Sequence, residues 1–147
     1  MKTMSEIIIR KAQFTDIEQV LEIEKESINS WTYNQLQQEL NNGFSLFLVA
    51  EHNGSAAGYL IAWKVADEIQ LNSIAVKKDF RKKGIGSKLL YELTGNNSDK
   101  KFTSIFLEVR SRNTDAVNFY TDNGFTKTGV RKNYYHDDDA LLMEKKL

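Results

Sequence analysis

The segment from Arg81 to Gly86 reads Arg-Lys-Lys-Gly-Ile-Gly, which combines two glycines with three cationic side chains just before a helix-like run. Glycine allows backbone amides to approach a ligand closely, and the start of a helix carries partial positive charge. These features favour binding of a diphosphate, and Lys88 adds a further charge. The spacing differs from the Gly-x-Gly-x-x-Gly of dinucleotide-binding folds, and the Gly-Lys-Ser/Thr ending of a P-loop is missing. A solvated basic turn is the alternative interpretation of an isolated Gly-x-Gly.

Three polar residues further along the chain form a second candidate group. Glu108 stands in an otherwise apolar strand-like run, where it alternates with Phe106 and Arg110. It could serve as a general base for an amine, directly or through one water, or it could form a salt bridge with Arg110 or a lysine. Asn113 and Tyr120 are seven residues apart, which places them on one face of the helix predicted there. Spacing alone explains Tyr120 more readily by packing than by catalysis.

Other kinds of chemistry find little support in the sequence. The chain has no cysteine, which excludes disulfides, thiolate metal sites and cysteine nucleophiles. His52 and His136 stand beside turn residues and are expected to be solvated. The acidic run 137–139 lacks the alternating spacing and the glycine of a calcium loop, so we expect an exposed turn that could attract a basic peptide, and no metal site. Ser73 and Ser87 have no histidine at the spacing of a hydrolase.

Composition limits the class of protein. The chain has 147 residues, of which 41% are hydrophobic and 27% charged, as in an ordinary globular protein with one substantial core. Lysine and arginine balance aspartate and glutamate at 20 each, so no net charge favours nucleic acid or a membrane surface. The apolar run Ile7 to Ile9 is far too short for a signal peptide or a membrane span. Together with the absence of cysteine, this predicts a cytoplasmic protein.

Periodicity and turn residues predict the elements that must position these groups. We predict one mixed α/β domain over residues 1–147. A helix is expected to start at Thr15-Asp16-Ile17-Glu18 and to extend toward Ile28, and the polar stretch 96–101 to be a connection. The other predicted strands are Ile7 to Arg10, Phe44 to Glu51, Ala56 to Val65, Glu68 to Val76, Ser104 to Arg110, Thr126 to Tyr134 and Ala140 to Glu144; the other predicted helices are Thr32 to Leu40, Ser87 to Leu93 and Asn113 to Asp122.

The string Ile74-Ala75-Val76, four residues, Arg81-x-x-Gly84-x-Gly86-x-x-Leu89-Leu90 closely resembles the coenzyme-A-binding motif of the GNAT acetyltransferase superfamily. The resemblance implies the GNAT acyl-CoA N-acyltransferase fold, a mixed α/β fold with a central, mostly antiparallel twisted sheet flanked by helices. It also implies acetyl-coenzyme A as cosubstrate, with the strand before the motif bound to pantetheine and the following amides bound to pyrophosphate. The cosubstrate-binding residues implied in this way are Ile74, Ala75, Val76, Arg81, Lys82, Lys83, Gly84, Ile85, Gly86, Ser87 and Asn113.

The second group resembles the RimI branch of GNAT enzymes, which acetylate the N-terminal amine of a small-subunit ribosomal protein. The matching residues lie in Leu107-Glu108-Val109-Arg110, in Asn113 and in Asn118-Phe119-Tyr120. The resemblance makes Glu108 the proton acceptor and Tyr120 the proton donor in a direct attack on the thioester. It also places Tyr134 and Glu24 in a peptide slot with Trp31 nearby, although core or hairpin packing would explain Trp31 and Tyr135 equally well.

Several alternatives stay open at this point. An acetyltransferase of the same chemistry could act on lysine side chains, polyamines or another small amine. A non-catalytic domain that binds acyl-coenzyme A and a purely structural module are the other classes. RimI proteins commonly have proline and glycine after the paired tyrosines, where this chain has His136-Asp137-Asp138-Asp139, and this difference affects the expected acceptor. We expect a monomer or weak dimer with no direct role in nucleic-acid binding and no membrane association.

Overall fold

The computed structural model describes residues 6–25, 31–94 and 101–147. The predicted extension of the first helix to Ile28 and most of the polar connection 96–101 lie outside these residues. The strands are β1 Ile8–Lys11, β2 Ser45–His52, β3 Ser55–Val65, β4 Glu68–Val76, β5 Ser104–Arg110, β6 Thr126–Arg131 and β7 Ala140–Lys146. The helices are α1 Ile17–Glu24, α2 Tyr33–Asn41, α3 Ile85–Thr94 and α4 Thr114–Asp122.

The strands described in these ranges are hydrogen-bonded in the order β1-β2-β3-β4-β5-β7-β6. The pairs β1–β2, β2–β3, β5–β7 and β6–β7 are antiparallel, whereas β4 and β5 run parallel. The parallel pair joins strands that are separated in sequence by α3, as a crossover connection requires. The predicted mixed fold with a mostly antiparallel sheet is therefore confirmed.

The chain forms two compact units. The first comprises Met1–Trp63 and Ser73–Asn96, and the second comprises Lys64–Asn72 and Asn97–Leu147. The core of the first unit is built by apolar faces of α1, α2, β2 and β3, and it includes Ile17, Val20, Ile23, Leu36, Phe47, Val49, Tyr59 and Ile61. Buried apolar residues of the second unit include Ile105, Leu107, Val109, Phe125, Ala140 and Met143.

Local sequence signals explain most element boundaries. Asn53 and Gly54 both have positive φ angles, of 50° and 81°, as a two-residue hairpin turn between right-twisted strands requires. Thr32 caps α2 as predicted, because its hydroxyl accepts a hydrogen bond from the Gln35 amide at 3.1 Å. The predicted cap at Thr15 was wrong: this residue lies inside a short 3-10 turn over 14–16, and α1 begins at Ile17.

The strand predicted to reach Tyr134 ends at Arg131. Asn133 and His136 adopt left-handed backbone conformations, with φ angles of 54° and 62°, which no regular strand accommodates. The segment from Lys132 to Asp139 is therefore a folded turn between β6 and β7, and the paired tyrosines belong to this turn.

Candidate functional site

The glycine-containing segment of the first unit is an open turn that leads directly into α3. Lys82 and Gly84 have φ angles of 61° and 83°, so the backbone is left-handed at two positions before the helix begins at Ile85. The Lys88 amide donates to the Gly84 carbonyl at 3.0 Å, which makes this the first helical hydrogen bond. Amides before it have no carbonyl of an earlier helical turn to bind. A Cβ at Gly84 would meet no atom within 4 Å, so the backbone there is open to a ligand.

Both ends of this turn are fixed. At the strand end, the Arg81 Nε donates a hydrogen bond to the Val76 carbonyl at 2.9 Å. At the helix end, the Ile85 side chain is 1% exposed and anchors α3 in the core. The backbone between two fixed points keeps its shape, which is the preorganisation that binding of a diphosphate needs.

The three residues Ile74, Ala75 and Val76 form the end of β4 and are partly exposed. The parallel ladder with β5 joins three pairs, from Glu68–Ser104 to Gln70–Phe106, so this end of β4 lies beyond it. Strand backbone beyond a ladder can hydrogen-bond an extended ligand such as a pantetheine arm. The side chains of Lys82, Lys83 and Ser87 are exposed, as the predicted contact with phosphate groups requires.

Glu108 lies in the second unit on β5, on the face opposite the buried Leu107 and Val109. Its side chain is 26% exposed, and its Oε1 atom lies 3.2 Å from the Nε atom of Arg131 on β6. The alternative interpretation of Glu108 as a salt-bridge residue allowed Arg110 or a lysine as its partner. The partner is Arg131, and Arg110 contacts Asp137 at 3.1 Å.

Tyr120 lies on α4, where its ring contacts Phe119 and Phe125 at centroid distances of 5.4 and 5.6 Å. Burial raises the pKa of the Tyr120 hydroxyl, and the nearby Tyr135 raises it further. A tyrosine with a raised pKa keeps its proton at neutral pH. The hydroxyl is therefore protonated at neutral pH, and the role of proton donor that the resemblance implies for Tyr120 stays a prediction.

Tyr135 connects the two candidate acid–base residues electrostatically. Burial raises the pKa of Tyr135, and the charge of Glu108 raises it as well. The Arg110 guanidinium lies 4.2 Å from the centre of the Tyr135 ring and holds it in place. The sequence left packing and a place near the peptide slot equally open for Tyr135, and its interactions with Glu108 and Tyr120 depend on the turn between β6 and β7.

Asn113 is the N-cap of α4, and its Oδ1 atom accepts a hydrogen bond from the Ala116 amide at 3.2 Å. The residues just before it are held by Asp138, which is only 8% exposed, contrary to the predicted exposed turn. Asp138 accepts hydrogen bonds from the Ser111 hydroxyl and, at 2.9 Å, from the Arg112 amide. The turn after β6 thereby fixes the loop that leads from Glu108 to α4.

Glu24 takes part in a buried polar network of the first unit. It is 4% exposed and accepts hydrogen bonds from the Tyr59 hydroxyl and, at 3.4 Å, from the Trp31 amide. The Tyr59 oxygen also lies 2.9 Å from the Ser73 hydroxyl. Burial raises the pKa of the Glu24 carboxyl, although the Tyr59 hydrogen bond opposes this. Sequence reasoning missed Tyr59 and Ser73, because neither forms a motif with Glu24.

The three predicted peptide-slot residues differ in exposure. Tyr134 in the second unit is 52% exposed, and its ring lies edge-on to Tyr135 with centroids 4.9 Å apart. Trp31 in the first unit is partly buried against the core, which agrees with the packing interpretation. Within the described ranges, no cluster of three or more His, Cys, Asp or Glu side chains is arranged to hold a metal ion. No helix in those ranges is long and apolar enough to span a membrane.

Comparisons with known proteins give consistent matches. A family model described as "Acetyltransferase (GNAT) family" matches residues 11–125. A Bacillus subtilis (strain 168) protein, named provisionally as the alanine N-acetyltransferase of ribosomal protein bS18, is 37% identical over 139 residues, 92% of each chain. An N-alpha-acetyltransferase of Sulfurisphaera tokodaii is 32% identical over 157 residues, covering 97% of this chain and 94% of that one. The crystal structure of PaiA N-acetyltransferase from Thermoplasma acidophilum in complex with coenzyme A is 26% identical, with a TM-score of 0.84 over 97% of this chain and 99% of that chain.

Proposed function

Because this chain belongs to the GNAT acetyltransferase family and is an acetyl-coenzyme-A-dependent N-acetyltransferase, we propose that its acceptor is the N-terminal α-amine of a protein, specifically of a small-subunit ribosomal protein. The observation that carries this proposal is the full-length likeness to two relatives. One is named for the α-amine, and the other, provisionally, for an alanine of ribosomal protein bS18. Tyr134, which is 52% exposed and whose ring lies edge-on to Tyr135, is consistent with a peptide acceptor.

Glu108 acts as the general base in the proposed mechanism. A terminal amine has a pKa of about 8, so much of it is protonated near neutrality and cannot attack. Glu108 accepts the proton through an ordered water, and the free amine attacks the thioester carbonyl directly. A covalent acyl-cysteine is excluded because the chain contains no cysteine. A backbone amide of β4 stabilises the oxyanion that forms.

Tyr120 acts as the general acid. As the tetrahedral adduct collapses, the carbon–sulfur bond breaks, the amide forms, and the thiolate takes the hydroxyl proton of Tyr120. Burial raises the pKa of this hydroxyl, which keeps the proton available until the thiolate develops. Positioned acid–base groups typically contribute about a hundred- to ten-thousand-fold in rate.

The remaining assignments follow from the same resemblance. The end of β4 binds pantetheine, and the amides from Lys82 to Ser87 bind pyrophosphate, with Arg81 fixing the turn. Asn113 contacts the cosubstrate in addition to capping α4. Tyr134, Glu24 and Trp31 are assigned to the peptide slot by this resemblance, and Glu24 is 4% exposed. Residues 1–147 form a single domain that works in the cytoplasm as a monomer or weak dimer.

The test measures thiol release from acetyl-coenzyme A with a peptide that copies the N-terminus of the ribosomal acceptor. The same peptide with a blocked α-amine is the control. We expect release with the free peptide and none with the blocked one. Equal activity on both would contradict the α-amine proposal and indicate lysine side chains instead, and activity on polyamines alone would indicate a small-molecule enzyme.

Variants test the assigned roles in the same assay. Glu108→Gln and Tyr120→Phe are each expected to lower kcat at least about a hundredfold, since each removes one proton-transfer group. Glu22→Gln and Tyr91→Phe are matched controls, because Glu22 is 70% exposed on its side chain and Tyr91 is 69% exposed. Full turnover by both site variants would show that the roles are wrongly assigned. Binding of coenzyme A without any transfer would favour a non-catalytic domain.

A further inference from the structure

The charged partner of Glu108 comes from a strand that is distant in sequence. Arg110 on β5 lies opposite Ala140 on β7, and Ala140 lies opposite Arg131 on β6. Directly opposed residues project from the same face of a sheet, and Glu108, two residues before Arg110, shares that face. The Arg131 side chain crosses the face of β7 that carries the small Ala140 and reaches Glu108, where its Nε atom lies 3.2 Å from Oε1.

Arg110, the nearer arginine in sequence, is engaged elsewhere. It contacts the Asp137 carboxylate at 3.1 Å and the face of the Tyr135 ring at 4.2 Å. These two contacts hold Arg110 toward the turn between β6 and β7. Among the described residues, Arg131 of β6 contacts the Glu108 carboxylate, and Tyr135 of the turn interacts with it electrostatically.

We propose that Arg131 is a positioning residue for the reaction, whose guanidinium holds the Glu108 carboxylate oriented toward the acceptor amine. This inference rests on the proposed role of Glu108 as the base. The geometry favours the role because the Nε atom of Arg131 lies 3.2 Å from the Oε1 atom of Glu108, which restrains the rotation of that carboxylate. The guanidinium also lies 5.7 Å from the centre of the Tyr134 ring, so one cation contacts both the base and a peptide-slot residue.

The loss of Arg131 has a definite kinetic consequence. Without the ion pair the Glu108 carboxylate is free to turn away from the acceptor amine, so fewer bound complexes are oriented for proton transfer and kcat falls. The Arg131 side chain is 57% exposed, and the loss of an ion pair of such exposure corresponds to a decrease in kcat of about 1.4- to 5-fold. The KM for acetyl-coenzyme A should not change.

The experiment compares kcat and the KM for acetyl-coenzyme A for wild type, Arg131→Gln, Arg131→Lys and Lys132→Gln. Arg131→Gln removes the charge but keeps a polar, unbranched side chain, and we expect kcat to fall while this KM stays at the wild-type value. Arg131→Lys should restore at least half of the lost kcat. Lys132→Gln removes a positive charge one residue away, where the ammonium contacts Asp139 at 3.6 Å, and should leave kcat unchanged.

Two results would overturn the inference: a wild-type kcat in Arg131→Gln, or an equal decrease of kcat in Lys132→Gln. Glu108→Gln, measured in parallel, separates this outcome from a failure of the proposed function. If Glu108→Gln keeps full activity, Glu108 is not the base. If it loses activity while the kcat of Arg131→Gln is unchanged, only the role of Arg131 is refuted.

Discussion

A single methyl group added at Gly58 should weaken the binding of acetyl-coenzyme A. Gly58 lies in the buried part of β3, next to the end of the neighbouring strand β4. A Cβ atom at this position would stand 3.0 Å from the Ala75 carbonyl oxygen and 3.5 Å from the Ile85 Cγ2 atom. Ala75 belongs to the proposed pantetheine strand, and Ile85 anchors the start of α3. The substitution Gly58→Ala therefore perturbs both ends of the glycine-containing turn.

The size of the effect follows from these contacts. A separation of 3.0 Å between carbon and oxygen is too short for an ordinary contact, so the β4 backbone must move by a few tenths of an ångström. Overpacking of this kind costs about 1 to 3 kcal/mol, and the smaller loss of backbone entropy of alanine on folding offsets about 0.5 to 1 kcal/mol. If displacement of the binding groups costs about 1 kcal/mol of the binding free energy of acetyl-coenzyme A, its KM rises about fivefold.

Steady-state thiol release measures this effect, with acetyl-coenzyme A varied at a saturating concentration of acceptor peptide. We expect Gly58→Ala to raise the KM for acetyl-coenzyme A and to leave kcat and the KM for the peptide near the wild-type values. Gly43→Ala is the matched control, because a Cβ at Gly43 meets no atom within 4 Å. An unchanged KM in Gly58→Ala, or an equal increase in Gly43→Ala, would refute the proposed link between Gly58 and the cosubstrate site.

Three further predictions concern stability. Burial raises the pKa of Glu24, so the free energy of unfolding that Glu24 contributes, compared with Glu24→Gln, is fully present below the ordinary pKa of 4.5 and is lost as pH rises through the raised pKa. Urea unfolding of both proteins from acid to neutral pH checks this sign. Thr32→Ala removes the cap of α2 and should lower the free energy of unfolding by about 1 kcal/mol, whereas Thr32→Ser should retain it. Lys82→Gly relieves a left-handed backbone at φ 61° and should raise the unfolding free energy by about 1 kcal/mol, and a decrease would show that the lysine side chain stabilises the turn.

The sequence was sufficient for most elements because their signals are local. The strand predicted over Ser104 to Arg110 has these bounds in the structure, since alternating apolar residues define both its face and its length. The Asn53-Gly54 turn was equally predictable, because few residue pairs tolerate two positive φ angles. The predicted family and cosubstrate are confirmed by the comparisons. The catalytic and binding roles of individual residues stay predictions.

The partners of the site residues could not be predicted, because they depend on which strands become neighbours. Glu108 of β5 and Arg131 of β6 lie on the two sides of β7, in a strand order that does not follow the sequence. Their side chains meet across β7. Nearness along the chain favoured Arg110 instead. The hydrogen bonds of Glu24 likewise depend on packing that brings Tyr59 of β3 against α1, and no periodic pattern specifies this pair.

The acidic turn between β6 and β7 contributes less charge to the acceptor site than its sequence suggests. Its three aspartates and Glu108 are each matched by a cation. The four pairs are Arg131–Glu108, Arg110–Asp137, Arg112–Asp138 and Lys132–Asp139, with N···O distances of 3.2, 3.1, 3.9 and 3.6 Å. Such a balanced set leaves little net field to attract a basic peptide.

The same carboxylates have a clear structural use. The Asp138 side chain binds the loop before α4, and its carbonyl accepts a hydrogen bond from the Tyr135 amide at 3.0 Å. Asp139 accepts another from the Asn133 amide at 2.8 Å. These bonds fix the backbone on either side of Tyr134, the 52% exposed tyrosine of this turn. We infer that the turn influences acceptor choice by placing Tyr134 and Tyr135 rather than by its charge, so substitutions at the tyrosines should alter acceptor preference more than substitutions at exposed Asp137.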